Sequence, residues 1–315
     1  MLRTKALRKI FVTTLSLFIL LFVVTITSRE NVSVLKTNLE IVNLENNVHS
    51  IYLLNDRGLL VRSKILLENS SEKEEIAAII ANLTIGNSNV LPDGLKAIIP
   101  KNTVIKEIIV GNRIVTLNFS KELLNVSARD EKNMVASIVY SIMDLGNYEG
   151  ISILVEGENL TKYPNSLEEI PLIINKNIGI NTFYDITSRD DINKVVIYYL
   201  ENIDNNLYYV PVTKYLNDDR EKIKIIVEEL SSSYIYESNL MSFLNSNTRL
   251  LEYHEEDGVM YLNFNDYLFD GNDKVLEEVI YSLAYSVFDN YNVDMVMFEV
   301  NSEVIYYLSS DDLPY

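Results

Sequence analysis

The sequence Val115-Thr116-Leu117-Asn118-Phe119-Ser120 returns later in the chain as Met260-Tyr261-Leu262-Asn263-Phe264-Asn265. The two stretches lie 145 positions apart, and the same spacing relates residues 94–158 to residues 239–303 without a gap. A two-copy repeat of this length predicts two similar folded units rather than a solenoid of short modules. It favours a scaffold or binding architecture over a large enzyme with a single site.

In each copy, the pattern of apolar residues and turns predicts the element order ββαββαβ. Alternating apolar runs separated by Gly- or Asn-containing turns are typical of hairpins, and apolar residues at helical spacing are typical of helices with one buried face. Two helices covering one face of a small sheet make an α+β sandwich. The predicted strands are residues 48–54, 59–67, 104–110, 114–119, 151–155, 195–200, 207–214, 249–254, 259–264 and 295–300; the predicted helices begin at Ser71, Asp130, Asp219 and Asp273.

The N-terminal segment predicts a membrane anchor. Residues 10–27 carry no charge and follow four basic residues, and about 18 apolar residues nearly cross a hydrocarbon core of ~30 Å. A cleaved signal peptide is the alternative, but residues 25–28 offer only a poor cleavage site. The basic flank favours a cytoplasmic N-terminus, so the bulk of the chain is expected to be extracytoplasmic, on a single-pass protein of the cell membrane.

The predicted domain organisation follows from the repeat and the anchor. Residues between the two copies contain Pro164, Pro171 and Gly179 together with apolar anchors, which is typical of an ordered connector. The predicted divisions are a signal-anchor at 1–28, a spacer at 29–47, a first domain at 48–158, the connector at 159–193 and a second domain at 194–308.

Composition narrows the classes of function. The formal net charge is −18, and an acidic surface repels phosphate backbones, so we expect no nucleic-acid partner. The chain has no cysteine, which excludes disulfides, thiolate metal sites, thiol nucleophiles and attachment through a lipidated cysteine. Two histidines, His49 and His254, do not occupy corresponding positions in the two copies.

The residues do not form a recognisable catalytic pattern. The acidic stretches 255–258 and 270–273 lack the ligand spacing of a calcium loop and are typical of a hairpin turn and a helix start. Neither a G-x-S-x-G motif nor a phosphate-cradling glycine loop occurs. We therefore expect no catalytic, cofactor-binding or metal-binding residues, no cofactor and no enzymatic activity.

Two features permit either a structural or a partner-binding interpretation. In the loop at Pro92-Asp93-Gly94, Gly94 suits a turn with positive φ, and Pro100 suits the start of a strand, but the loop could also contact a partner. The tyrosines of the second copy could form part of the sheet or supply rings to an interface; they are Tyr198, Tyr199, Tyr208, Tyr209, Tyr234 and Tyr236.

Several motifs of the first copy resemble the GerM (GerMN) domain family of sporulation and spore germination. The resemblance rests on residues 91–95, on 98–104 with Pro100, on 115–120 and on the closing Val155-Glu156-Gly157. The second copy is degenerate, because it has Asn245 in place of Pro100 and Ser302 in place of Gly157. The motifs identify a fold better than an activity.

The resemblance implies a membrane-attached extracytoplasmic protein with a structural role in spore formation or germination. It implies domains similar to ring-building motifs, whose α-β-β-α-β core is contained in both copies. The expected partners are other membrane or envelope proteins of the sporulation machinery, with self-association among the expected contacts. The alternative that we keep open is an envelope binding module that recognises a peptidoglycan or small-molecule ligand.

Overall fold

The computed structural model describes residues 48–67, 71–87, 91–146, 148–232, 239–270, 274–310 and 313. The predicted anchor and spacer lie outside these residues. The first copy forms β1 (Val48–Asn55), β2 (Leu60–Leu66), α1 (Glu72–Leu83), β3 (Leu95–Lys96), β4 (Ile105–Gly111), β5 (Ile114–Phe119), α2 (Glu131–Met143), β6 (Gly150–Val155) and β7 (Glu158–Asn159).

The connector and the second copy follow. The connector contains a short 3₁₀ helix at Lys176–Ile178 and β8 (Phe183–Asp185). The second copy forms β9 (Ile192–Ile203), β10 (Asn206–Asn217), α3 (Lys222–Ser231), β11 (Leu250–Glu256), β12 (Val259–Phe264), α4 (Glu277–Phe288), β13 (Met295–Val300) and β14 (Glu303–Ser309). The predicted order ββαββαβ is present in both copies of this α+β fold.

The opening hairpins of the two copies join in one sheet, which we call the shared sheet. It consists of β3, β1, β2, β10, β9 and β8, with β2 antiparallel to β10 at Arg62 and Tyr209. Each copy also has its own four-stranded sheet. The first outer sheet has the order β4-β5-β6-β7, and the second outer sheet has the order β11-β12-β13-β14.

Helices α2 and α4 are buried on more than one face, whereas α1 buries only one, so the expectation that two helices cover one face of one small sheet needs correction for α2 and α4. In α2 every residue from Met134 to Ile142 is buried, although only one side was predicted to face inward. The reason is that the shared sheet covers the side that an isolated sandwich would leave exposed. Ser137 and Ser141 of α2 bind the carbonyl and the amide of Tyr52 on β1, at 2.6 and 2.9 Å.

The repeated LNF motif has a structural role that is the same in both copies. Asn118 Oδ1 accepts a hydrogen bond from the amide of Gly157 at 3.0 Å, and Asn263 Oδ1 accepts one from the amide of Ser302 at the same distance. These amides lie in tight turns with positive φ, at 87° for Gly157 and 68° for Ser302. Each asparagine therefore fixes the turn that follows the last predicted strand of its copy.

Sequence patterns missed four strands. The strands β3, β7 and β8 have only two or three residues, which is too short for a periodic pattern. The seven-residue β14 was missed because the first copy offers only the short β7 at that place. Helix α1 begins as predicted, with both hydrogen bonds of the capping box between Ser71 and Glu74. No helix within the described residues is long and apolar enough to cross a membrane.

Replacing Asn118 with Ala tests the role of the motif. The substitution leaves the amide of Gly157 without its acceptor, and a lost hydrogen bond of this kind costs about 1 kcal/mol of unfolding free energy. The measurement is urea unfolding, with Thr116→Ala on the outward side of the same strand as the control. Equal stability of both variants would contradict this role.

Candidate functional site at the junction of the two repeats

The two copies meet through corresponding elements. The strands β2 and β10 occupy the same place in the element order, and they pair antiparallel. Tyr52 and Tyr198 also correspond, and their hydroxyl oxygens lie 3.4 Å apart. Contacts between corresponding residues are the mark of an isologous interface, so the junction has the geometry of a two-fold dimer interface within one chain.

Two matching Tyr–Asp pairs form the centre of the junction. The hydroxyl of Tyr52 donates to Asp144 Oδ2, and the hydroxyl of Tyr198 donates to Asp289 Oδ2, each at 2.7 Å. Asp144 ends α2, and Asp289 ends α4 at the corresponding position. Burial is the main reason that the pKa of each tyrosine is raised well above its usual value. Both hydroxyls therefore remain protonated and act as donors.

Lys176 of the connector lies between the two carboxylates. Its Nζ is 2.8 Å from Asp144 Oδ1 and 2.7 Å from Asp289 Oδ1. The carboxylates are only 13% and 10% exposed, so without a cation the two negative charges would repel each other in a poorly solvated site. Lys176 thus supplies one positive charge that the two repeats share.

Arg62 of β2 adds a second positive charge on one side of the junction. Its guanidinium is 3.6 Å from Asp144 and donates to the hydroxyl of Tyr285 at 2.5 Å. Burial alone would raise the pKa of Asp144, but the charges of Lys176 and Arg62 outweigh that effect and lower it. The same carboxylates raise the pKa of Lys176 well above its usual value although burial opposes this shift. Asp144, Lys176 and Arg62 therefore keep their charges at neutral pH.

A second group of contacts lies towards the end of the hairpins. Asn55 Nδ2 donates to Glu201 Oε2 at 2.8 Å, and Arg57 forms an ion pair with the same carboxylate. Gly94 packs so closely against the other copy that a Cβ atom would lie 2.5 Å from Ile203 Cγ2. Its φ of 77° also requires a left-handed conformation. The junction thus extends from the buried tyrosines to the loop at residues 92–94.

These positions resolve the two open sequence features. The loop at residues 92–94 is both a turn and a contact surface, but its partner is the other copy of the same chain. Pro100 lies in the turn before β4 and accepts from the amide of Thr103, so it is not a strand-start residue. Tyr198 and Tyr199 are buried, Tyr208 and Tyr209 are partly buried, and Tyr234 and Tyr236 lie outside the described residues.

The histidines and the acidic turn at residues 255–258 do not lie together in one site. His49 lies within β1, His254 lies within β11, and Asp257-Gly258 form the turn between β11 and β12 with φ of 50° and 77°. Within the described residues, no group of three His, Asp or Glu side chains could hold a metal ion. The expectation that the chain has no catalytic, cofactor-binding or metal-binding residues stays a prediction.

Sequence reasoning missed the central charges of the junction. Asp144 and Asp289 correspond within the gap-free repeat, and so do Tyr140 and Tyr285. The presence of an aspartate at the same helix end in both copies could have indicated a contact at that position, because a helix end does not itself require aspartate. Lys176 has no counterpart of this kind, since the connector occurs once.

Replacing Lys176 with Met tests whether its charge joins the repeats. The variant leaves two facing carboxylates without their shared cation, and loss of one partner from such a site costs about 2–4 kcal/mol of unfolding free energy. The measurement is chemical unfolding followed by circular dichroism. Lys162→Met is the matched control, because Lys162 lies on the same connector and is exposed. A variant as stable as this control would refute the role.

Acid unfolding tests the pKa of Asp144. Its folded pKa lies below the usual value, so its contribution to stability is present above the ordinary carboxyl range and is lost as the pH falls through the folded pKa. Asn at this position cannot titrate. The wild-type protein should therefore lose more stability than Asp144→Asn between pH of about 4 and about 2. Parallel losses in urea midpoints across this range would contradict the assignment.

Comparisons with known proteins agree with this two-copy architecture. The profile of the Germane family, described as sporulation and spore germination, matches residues 50–161 and 196–306. The spore germination protein GerM of Bacillus subtilis (strain 168) is 24% identical over 268 residues, which are 81% of this chain and 72% of that protein.

A solved structure shares the fold. The structure described as tandem GerMN domains of the sporulation protein GerM from Bacillus subtilis superposes with a TM-score of 0.74 at 23% identity, over 81% of this chain and 91% of that one. The family profile covers well over half of the chain and matches each repeat separately. The chain therefore belongs to the Germane family of sporulation and spore germination domains.

Proposed function

We propose that this chain is a membrane-anchored, extracytoplasmic assembly protein of spore formation or germination. It acts through protein–protein contacts of its two ring-building-like domains, at residues 48–158 and 194–308, and residues 10–27 hold it at the membrane. The observation that carries the proposal is the junction at Lys176, which joins two copies of one module into a single body.

The junction determines which surfaces remain for other proteins. An isologous interface is closed, because each copy uses its own hairpin surface to bind the other. Further partners must therefore bind elsewhere, and the outer sheets are exposed at the edge strands β4, β11 and β14. Unpaired edges and outward sheet faces are common sites of protein association.

The exposed residues on these edges support an assembly role. Val104, which directly precedes the edge strand β4, is 58% exposed, and Ile109 on β4 is 47% exposed. Leu251 on β11 and Val304 on β14 are each 55% exposed. Meanwhile Tyr198 and Tyr209, two of the tyrosines that an envelope binding module would need in a ligand pocket, contribute to the junction instead, and the Tyr199 hydroxyl donates to Glu229 within the second copy. These placements favour protein contacts over the alternative of a peptidoglycan or small-molecule site.

The membrane anchor is tested by replacement in the native host. A strain that lacks the chain should form fewer heat-resistant spores, and the full chain should restore them. A chain without residues 1–28 should not restore them, whereas a chain with an unrelated single-pass anchor of the same orientation should. Restoration by the anchorless chain would contradict the membrane role.

Crosslinking in membranes of the same sporulating cells tests the assembly role. The expected product is a species larger than the 36.2 kDa chain, formed with a second copy or with another envelope protein. The control is the anchorless chain expressed to the same level, which should give less of this product because confinement to a plane raises effective concentration. A full-length chain that remains uncrosslinked throughout sporulation would refute an assembly function.

A further inference from the structure

The outward face of the second outer sheet carries a row of four large side chains. His254, Tyr261, Met297 and Tyr307 are direct neighbours across β11, β12, β13 and β14. We call these four residues the aromatic row. Three strand spacings give the row a length of about 14 Å, which is the span of about four residues of an extended peptide.

The aromatic row faces away from the core. Its members alternate along their strands with buried residues such as Leu262 and Phe298. The rings of His254 and Tyr261 stack with centroids 4.4 Å apart and planes 4° from parallel. Tyr307 is 61% exposed. The stacked pair thus presents ring surface near the β11 edge of the sheet, and Tyr307 presents ring surface at the β14 edge.

The first copy shows that the fold does not require these residues. At the corresponding positions, 145 residues earlier, the first outer sheet has Ile109, Thr116 and Ser152. These three are also direct neighbours across β4, β5 and β6. The same sheet therefore forms with small or aliphatic residues in this place. Aromatic residues in the second copy need a reason other than folding.

Carboxylates lie on both sides of the aromatic row. Glu252 and Glu299 belong to the neighbouring row on one side, where both lie opposite Asn263. Glu256 belongs to the neighbouring row on the other side. Within the described part of the chain, none of the three forms an ion pair. At the corresponding positions the first copy retains only one acid, Glu107, while Gly111 and Leu154 replace the others.

We propose that the aromatic row and its flanking carboxylates bind a basic, extended segment of a partner protein. Lys or Arg side chains would lie over the exposed tyrosine rings and pair with Glu252, Glu256 and Glu299. Their aliphatic stems would pack on Met297 and Val304. A second copy of this chain is a poor occupant, since it would bring the same negative charges to the contact. The inference rests on the proposed assembly function and specifies the chemistry of one contact.

The test uses the full chain in detergent and a short peptide of alternating lysine and valine as the probe. The triple variant His254→Ile, Tyr261→Thr, Met297→Ser gives the second outer sheet the residues of the first. Loss of cation–π and packing contacts should weaken peptide binding about tenfold. Thermal unfolding establishes that the variant is folded. Unchanged binding by a folded variant would overturn the proposal.

A matched pair of charge variants separates this site from general attraction to an acidic protein. Glu252→Gln removes a carboxylate beside the aromatic row, and Glu107→Gln removes the corresponding carboxylate of the first copy. Both variants change the net charge equally. Glu252→Gln should weaken binding several-fold more than Glu107→Gln at moderate salt. Equal effects would show attraction by net charge only and would contradict the site.

Two further measurements distinguish the remaining outcomes. A tetrasaccharide of N-acetylglucosamine should not bind. If it binds and the triple variant abolishes this binding, the row is a carbohydrate surface and the proposal is overturned.

In the native host, the triple variant should restore fewer spores than the wild-type chain. Full restoration would refute the docking site and leave the assembly function standing. Normal spore formation without the chain would refute the assembly function, and the peptide measurements would still decide the docking site.

Discussion

The structure depends on one positive charge between two negative ones. Lys176 lies within 2.8 Å of Asp144 and 2.7 Å of Asp289, and each carboxylate also accepts from a buried tyrosine. Two corresponding acids near an internal two-fold axis cannot neutralise each other, so they need a cation between them. The connector provides it. A segment that the sequence marks only as a link between domains therefore completes the interface between them.

This arrangement divides the surfaces of the chain between two tasks. The hairpin strands β1, β2, β9 and β10 and the helix ends form the internal contact, and its two Tyr–Asp pairs correspond in both copies. The outer sheets are free to differ, and they do differ: the row from His254 to Tyr307 is aromatic, while its counterpart in the first copy contains Ile109, Thr116 and Ser152. Similarity between the copies thus follows the contact that they share, and divergence follows the faces that point away from it.

The sequence was informative about local structure and less so about tertiary partners. Periodicity and turns located the main strands and the four predicted helices to within a few residues, because apolar spacing and capping act locally. The motifs of the first copy, which include Asn118, led to the Germane family, and the hydrogen bond from the turn amide to this asparagine also occurs at Asn263 of the second copy. The shared sheet was not foreseen, since hydrophobic alternation shows that β2 has a partner but not which strand it is. The aromatic row was missed for a related reason, because its members become neighbours only through strand pairing.

The single lysine on the connector also bears on specificity among related proteins. A first copy and a second copy that met without the connector would bring no lysine to the junction, so the two carboxylates would lie in a poorly solvated site without their shared cation. The covalent link therefore selects the correct pairing in addition to raising its local concentration. In a cell that makes several proteins of this type, each molecule would complete its own junction before it meets a relative.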